Sequence, residues 1–430
     1  MRWLLLLALL LLAALSVGVA WAQGQIEVTA QEVVNNFPEE AVFRLSAYSE
    51  AGIEAVTLHY EIKPDGVAAY DEPEFTPGDR VQVDFRLKGN DPPRSYLAPG
   101  AEIEYYWEIE DGAGSKLTTE PATFFYDDLR FSWNSLSQGN VTVRWYSGDR
   151  SDGETSLQVA RSTIDDMSAL LGAEIDYPVK VWTYDSYQDM LPALVRRSEA
   201  HEQAVIVAGQ RVSSDTVLLL ADSGGDILRH ELTHIVTHVA GEGPYGSLPT
   251  WLDEGTAMYA QSEPGSGFTS ALENGIRRDS LFSVRSMTAP TGDPSRVGLF
   301  YGQAWSLVQY LIETYGAEKF AELFAIFKEG SIPDKALLAV YGFDQDGLED
   351  EWRASQGLPP RERASPTPTA TPEGTQTPSA TPAGPTGGDG SDDGDELGQG
   401  TILGLVASGL ALVAVTLLGF GLLMLRVRRR

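Results

Sequence analysis

The chain has 430 residues, 43% of them apolar, which is enough for more than one buried core. It contains no cysteine, which excludes disulfides and thiolate-bound metal, so any metal must be held by histidine and carboxylate. A formal charge of −30 excludes nucleic acid as a natural partner, because the two fields repel.

Arg2 precedes an apolar run from Trp3 to Val19 that ends in Ala20-Trp21-Ala22, a small-x-small pattern expected of a signal peptide over residues 1–22. The run is long for that purpose, and an uncleaved anchor is the rival reading. Residues 23–127 then alternate in the manner of strands at Ile26–Val28, Ala41–Leu45, Val56–Tyr60, Val81–Phe85 and Ile103–Trp107. Pro64-Asp65-Gly66, Pro77-Gly78-Asp79 and Asp111-Gly112 supply turns between them. Short strands at this spacing predict an all-β, two-sheet sandwich of immunoglobulin or fibronectin type, with Trp107 in its core and His59 at the surface.

From about residue 128 the pattern changes. Strands are expected at Val141–Tyr146, Val179–Tyr184, Ala204–Gly209 and Thr216–Ala221, with a helix over Gly153–Leu171, which together make a mixed sheet with a helix packed on it. His201 reads as exposed. Asp222, Ser223 and Asp226 offer N-caps for a helix that Gly241 would stop, and Thr250 offers a cap for the next, with Asp253 as its box partner. The period of 3.6 continues through Gly298–Tyr315, Ala317–Lys328, Pro333–Tyr341 and Gly347–Ser355.

Residues 363–400 collapse to Pro, Thr, Ser, Gly and acid, a composition that builds no core and is expected to act as an extended stalk. Residues 401–425 are uncharged and apolar over a spanning length, and Arg426, Arg428, Arg429 and Arg430 follow them. The positive-inside rule keeps 426–430 cytoplasmic and places the bulk of the chain outside, as a single-pass membrane protein.

Chemistry concentrates in His230-Glu231-Leu232-Thr233-His234. Residues four apart share one helix face, so both imidazoles can reach one metal ion, with Glu231 beside them as general base toward a water. Three of the five histidines (His230, His234 and His238) fall within nine residues, but His238 lies roughly 12 Å along the helix axis from His230, beyond one coordination sphere. The metzincin pattern is absent, since Thr237 and Ala240 occupy its Gly and third His positions. A carboxylate from the following helix is needed, and Asp253 and Glu254 both stand there.

HExxH followed by Trp251-Leu252-Asp253-Glu254-Gly255 resembles the gluzincins, the superfamily of thermolysin and the M1 aminopeptidases, and more closely the peptidase-MA-like domains of bacterial surface proteins. The resemblance spans about 131–357, including Gly347–Trp352, and implies an α+β, zincin-like (thermolysin-like) peptidase domain over 128–362 with a helical C-terminal part. It also implies one Zn2+ on His230, His234 and Glu254, Glu231 as base, and peptide or protein as substrate. The interval between the motifs is one residue longer than usual in the family, which residues 241–247 must absorb. Phe300–Trp305 resembles the helix start that carries a transition-state tyrosine in M1 relatives, which would be Tyr301. GxMEN, the exopeptidase signature, is absent, so an endopeptidase is implied over an aminopeptidase. In zincins an edge strand ahead of the metal helix pairs with substrate, and Ala204–Gly209 or Thr216–Leu220 could do so here. The rival functions are a catalytically silent zinc-binding adhesion or sensory module and a purely structural zinc. The presence of Glu231 disfavours both.

Overall fold

The computed structural model describes residues 26–91, 95–195, 208–243 and 248–363. The expected signal peptide, spanning run and tail lie outside the described residues, as do the stalk beyond Arg363, His201 and strand positions 204–207. Among the described residues no helix is long and apolar enough to cross a membrane.

The N-terminal unit consists of β1 (Glu27–Asn36), β2 (Glu40–Lys63), β3 (Val67–Asp71), β4 (Gly78–Lys88), β5 (Ala101–Asp111), β6 (Lys116–Thr118) and β7 (Ala122–Tyr126). Its hydrogen bonds form one seven-stranded sheet, where two separate sheets were expected. The reason is β2: Ala41–Leu45 and Val56–Tyr60, which read as two strands, are the halves of one strand of 24 residues. The first half pairs with β1 and β4, the second with β5 and β3, and the register shifts between Tyr48 and Ile53. Phe43 of the first half meets Tyr105 of β5 and Phe124 of β7 at ring-centroid distances of 5.0 and 6.1 Å, so both halves cover one core. Trp107 is wholly buried there, as expected. His59 stays part-exposed on β2, stacked on Tyr106.

The second unit starts with β8 (Asn134–Gln138), β9 (Val141–Trp145), β10 (Val179–Tyr184), β11 (Gly209–Arg211) and β12 (Thr216–Leu220), in the order β8-β9-β10-β12-β11. The sheet is mixed: β9, β10 and β12 run parallel, and β8 and β11 are antiparallel to their neighbours. Thr216–Leu220 is therefore interior, and its expected role as an edge is corrected. Its residues are buried on both faces, as an unbroken apolar run requires. Among the described residues the edge is Gly209–Arg211. The helix α1 (Arg150–Leu171) packs Leu157, Ile164, Met167 and Leu171 into the same core as Leu228, Leu232, Ile235 and Val236 of α2 (Gly225–Gly241).

After α2 come α3 (Thr250–Tyr259), α4 (Ser266–Arg278), α5 (Val297–Tyr315), α6 (Ala317–Lys328), α7 (Pro333–Tyr341) and α8 (Gln345–Ser355). Sequence periodicity had not singled out α4, whose Gly267, Gly275, Ser and Thr residues dilute helical propensity. Both expected helix caps are corrected. Gly224 and Pro249 are the N-caps of α2 and α3, and neither makes a side-chain cap. Asp226 instead sits in the first turn of α2 and accepts from Ser262, which ties the start of that helix to the segment after α3. Trp352 of α8 donates to Ser306 of α5 at 3.1 Å and anchors the C-terminal helix.

Candidate metal centre

One face of α2 looks onto α3, and there the apolar pattern is broken by His230, Glu231, His234 and Glu254, each 1–2% exposed. The histidines are four positions apart, so their rings rise on one face. Gly255 lets α3 pack closely on α5, since a β-carbon at that position would stand 2.4 Å from the Ala304 carbonyl of α5. Glu254, one residue earlier on α3, stands opposite the two imidazoles.

His230 Nε2 and His234 Nε2 are 3.2 Å apart, and Glu254 Oε2 lies 3.3 Å from the first and 3.6 Å from the second. Ligand atoms bonded at about 2.0–2.1 Å in a tetrahedron stand roughly 3.3–3.4 Å from one another. The three atoms thus occupy three corners of a zinc-sized tetrahedron. Glu254 Oε2 has no hydrogen-bond partner, and leaving such an atom buried costs about 1–3 kcal/mol. A cation among the three would offset that cost. The group His230, His234 and Glu254 could hold a metal ion. His238 is not part of it and pairs instead with Glu242 at 2.6 Å.

Asp253, which competed with Glu254 as third ligand, faces the other way. Its Oδ1 lies 3.0 Å from His234 Nδ1 and accepts from the Thr237 hydroxyl at 2.5 Å. It therefore works behind the histidine and caps nothing. Burial opposes charge on the His234 ring, but Asp253 first, then Glu254 and Glu231, outweigh it and bring the pKa to about 9. Burial likewise opposes charge on Asp253, and the His234 ring with its hydrogen bond overcomes this and holds the carboxyl well below the ordinary range.

Glu231 Oε2 accepts the Arg211 backbone N–H of β11 at 2.8 Å, and Oε1 has no partner. Gly209 permits this contact, because a β-carbon there would lie 3.1 Å from Glu231 Cγ. Burial raises the Glu231 pKa, with His230, His234 and the Arg211 amide pulling against it.

Tyr301 of α5 is buried near His230, with ring centroids 6.4 Å apart. Burial first, then Glu254 and Glu231 together with a hydrogen bond to Glu254, push its hydroxyl pKa well up, so the group keeps its proton. A cavity of about 210 Å³ opens beside these two residues, walled by Ile227, Met258 and Phe268.

All five residues singled out from sequence meet here. Sequence reasoning missed Gln261, whose amide lies 3.1 Å from His230 Nδ1, and the true task of Asp253. The seven-residue interval from Glu254 to Gln261, two helical turns, was the available signal for the first.

The family model of the Peptidase MA superfamily matches residues 159–356. Among solved structures, an M1 zinc metallopeptidase from Deinococcus radiodurans aligns at 14% identity over 81% of this chain and 98% of its own, with a TM-score of 0.36. Catalytically inactive OgpA from Akkermansia muciniphila, in complex with an O-glycopeptide substrate, aligns at 11% identity over 26% of this chain and 31% of its own, with a TM-score of 0.20. A β-1,3-glucan-binding domain of carbohydrate-binding module family 56 aligns at 21% identity over 23% of this chain and 98% of its own, with a TM-score of 0.16. No curated protein matches the chain.

Proposed function

We propose, from the premise that residues 159–356 form a gluzincin-like domain of the Peptidase MA superfamily, that this chain is a zinc metallopeptidase that hydrolyses peptide bonds. The observation that carries the proposal is the buried triangle of His230, His234 and Glu254 at tetrahedral spacing, with an unpartnered oxygen of Glu231 alongside. Two imidazoles and one carboxylate, with no sulfur, suit zinc and leave a fourth position open. When bound, the ion would polarise a substrate carbonyl and make an attacking water more acidic.

Glu231 is the general base. Its Oε2 is steadied by the Arg211 amide and its Oε1 is free to take a proton from the attacking water and return it to the leaving amine. Tyr301, kept protonated, donates to the oxygen on which negative charge develops. The outer edge of β11 supplies the backbone against which an extended substrate lies. Val212 and Ala208 turn their hydrogen bonds inward to β12, so the Gly209 backbone and the Arg211 carbonyl face outward, the Arg211 N–H being held by Glu231. With no GxMEN in the sequence, cleavage within peptides is favoured over removal of N-terminal residues.

The same proposal takes the N-terminal unit as an immunoglobulin- or fibronectin-like module, supported by the shared core under both halves of β2. It also takes the chain as membrane-anchored with both units outside, supported by the two terminal apolar runs and the final arginines. Resistance of both units to protease added to intact cells would overturn that placement.

The test of the activity is cleavage of casein by the full chain beside Glu231→Gln and Tyr301→Phe. Glu231→Gln should keep its zinc and lose about 10²–10⁴-fold in rate. Tyr301→Phe should lose kcat with KM little changed. Equal rates in Glu231→Gln and the unaltered chain would remove the peptidase assignment.

A further inference from the structure

The two histidines are backed by chemically different partners. An ion at Nε2 needs a lone pair there, so the ring proton must sit on Nδ1 and be accepted from behind. Asp253 meets that demand for His234, because a carboxylate in this state only accepts. The carboxylate is itself fixed by the Thr237 hydroxyl from α2, so ring and partner are tied from both helices.

His230 has no such carboxylate. Behind it stands Gln261, just past the end of α3, with its amide nitrogen 3.1 Å from Nδ1. An amide nitrogen donates, so this pairing puts the lone pair on Nδ1 and the ring proton on Nε2. That proton then points to the Nε2 lone pair of His234, 3.2 Å away. A half-turn of the amide brings its oxygen to the same place and moves the proton to Nδ1. Glutamine satisfies His230 in both tautomers, whereas Asp253 satisfies His234 in one.

We infer that Gln261 is the positioning residue that limits how tightly the ion is held. His230 is the ligand able to turn from metal binding to hydrogen bonding with His234 at little cost, and Gln261 follows it. This rests on the metal reading of the site but assigns a residue and a task that reading does not contain. It also predicts effects of opposite sign from two substitutions at one position, which a merely structural side chain would not give.

The experiment is zinc titration of the full chain against a chromogenic chelator, without reference to turnover. Gln261→Met removes either pairing and should weaken zinc binding by about 10–100-fold. Gln261→Glu accepts only, holds the proton on Nδ1, and should tighten it. Circular dichroism of each variant checks the fold. Zinc affinity unchanged in Gln261→Met, or weaker in Gln261→Glu, overturns the inference while the metal reading stands. An unaltered chain that takes up no zinc sinks both.

Discussion

The seven-stranded sheet and the helical unit treat charge in opposite ways. In the sheet, pairs such as Arg44–Glu32 and Lys116–Glu110 stand at exposed positions, and the buried carboxylates Asp111 and Glu40 are met by Ser49 and by Arg86 and Lys88. In the helical unit, His230, Glu231, His234 and Glu254 are packed into the interior, two of them with an oxygen that has no partner. Exposed pairs contribute little and cost little, whereas buried ionisable groups destabilise a fold unless something compensates them. Among the described residues, the buried carboxylates with an unpartnered oxygen, Glu231 and Glu254, both lie in the helical unit, where the proposed chemistry is placed.

The contrast is broken most forcefully from the sheet side. Trp107→Ala should cost about 3–5 kcal/mol, seen as a lowered unfolding transition, because a large, fully buried ring leaves a cavity. Cleavage per folded molecule should be unchanged. A variant that folds but no longer cleaves would show that the sheet takes part in the reaction.

A smaller effect is expected at the metal centre. Glu231 must be ionised to accept a proton, and burial raises its pKa against the pull of His230, His234 and the Arg211 amide. As pH falls through that raised value the base becomes protonated, so kcat/KM should fall at a pH above the ordinary carboxylate value of about 4.3. Zinc content measured over the same range separates this loss from release of the ion. An acid limb at or below the ordinary value, with zinc retained, would contradict the burial argument.

The two units also differed in how much of them was legible. Helices with a strong 3.6 period, such as Ala317–Lys328 and Pro333–Tyr341, were read to the residue, because periodicity and Pro333 mark them without tertiary help. The continuity of β2 is not legible in the sequence, where Gly52 interrupts the alternation, and only pairing on both sides reveals one strand. Polar β8 carries no apolar alternation and went unread. At the site, HExxH and Trp251–Gly255 disclosed the ligands. Asp253 was misread because its partners, His234 and Thr237, are tertiary neighbours that a local capping pattern mimics. The rank of Thr216–Leu220 as an interior strand depended likewise on β11 lying outside it.

Binding of one zinc ion by His230, His234 and Glu254 is decided by the metal content of the purified full chain beside Glu254→Gln. One equivalent of zinc in the unaltered chain, and a large loss of it in the variant, is the expected result, because the amide presents a weaker ligand at the third corner. Zinc absent from the unaltered chain, or held equally by both, would contradict it.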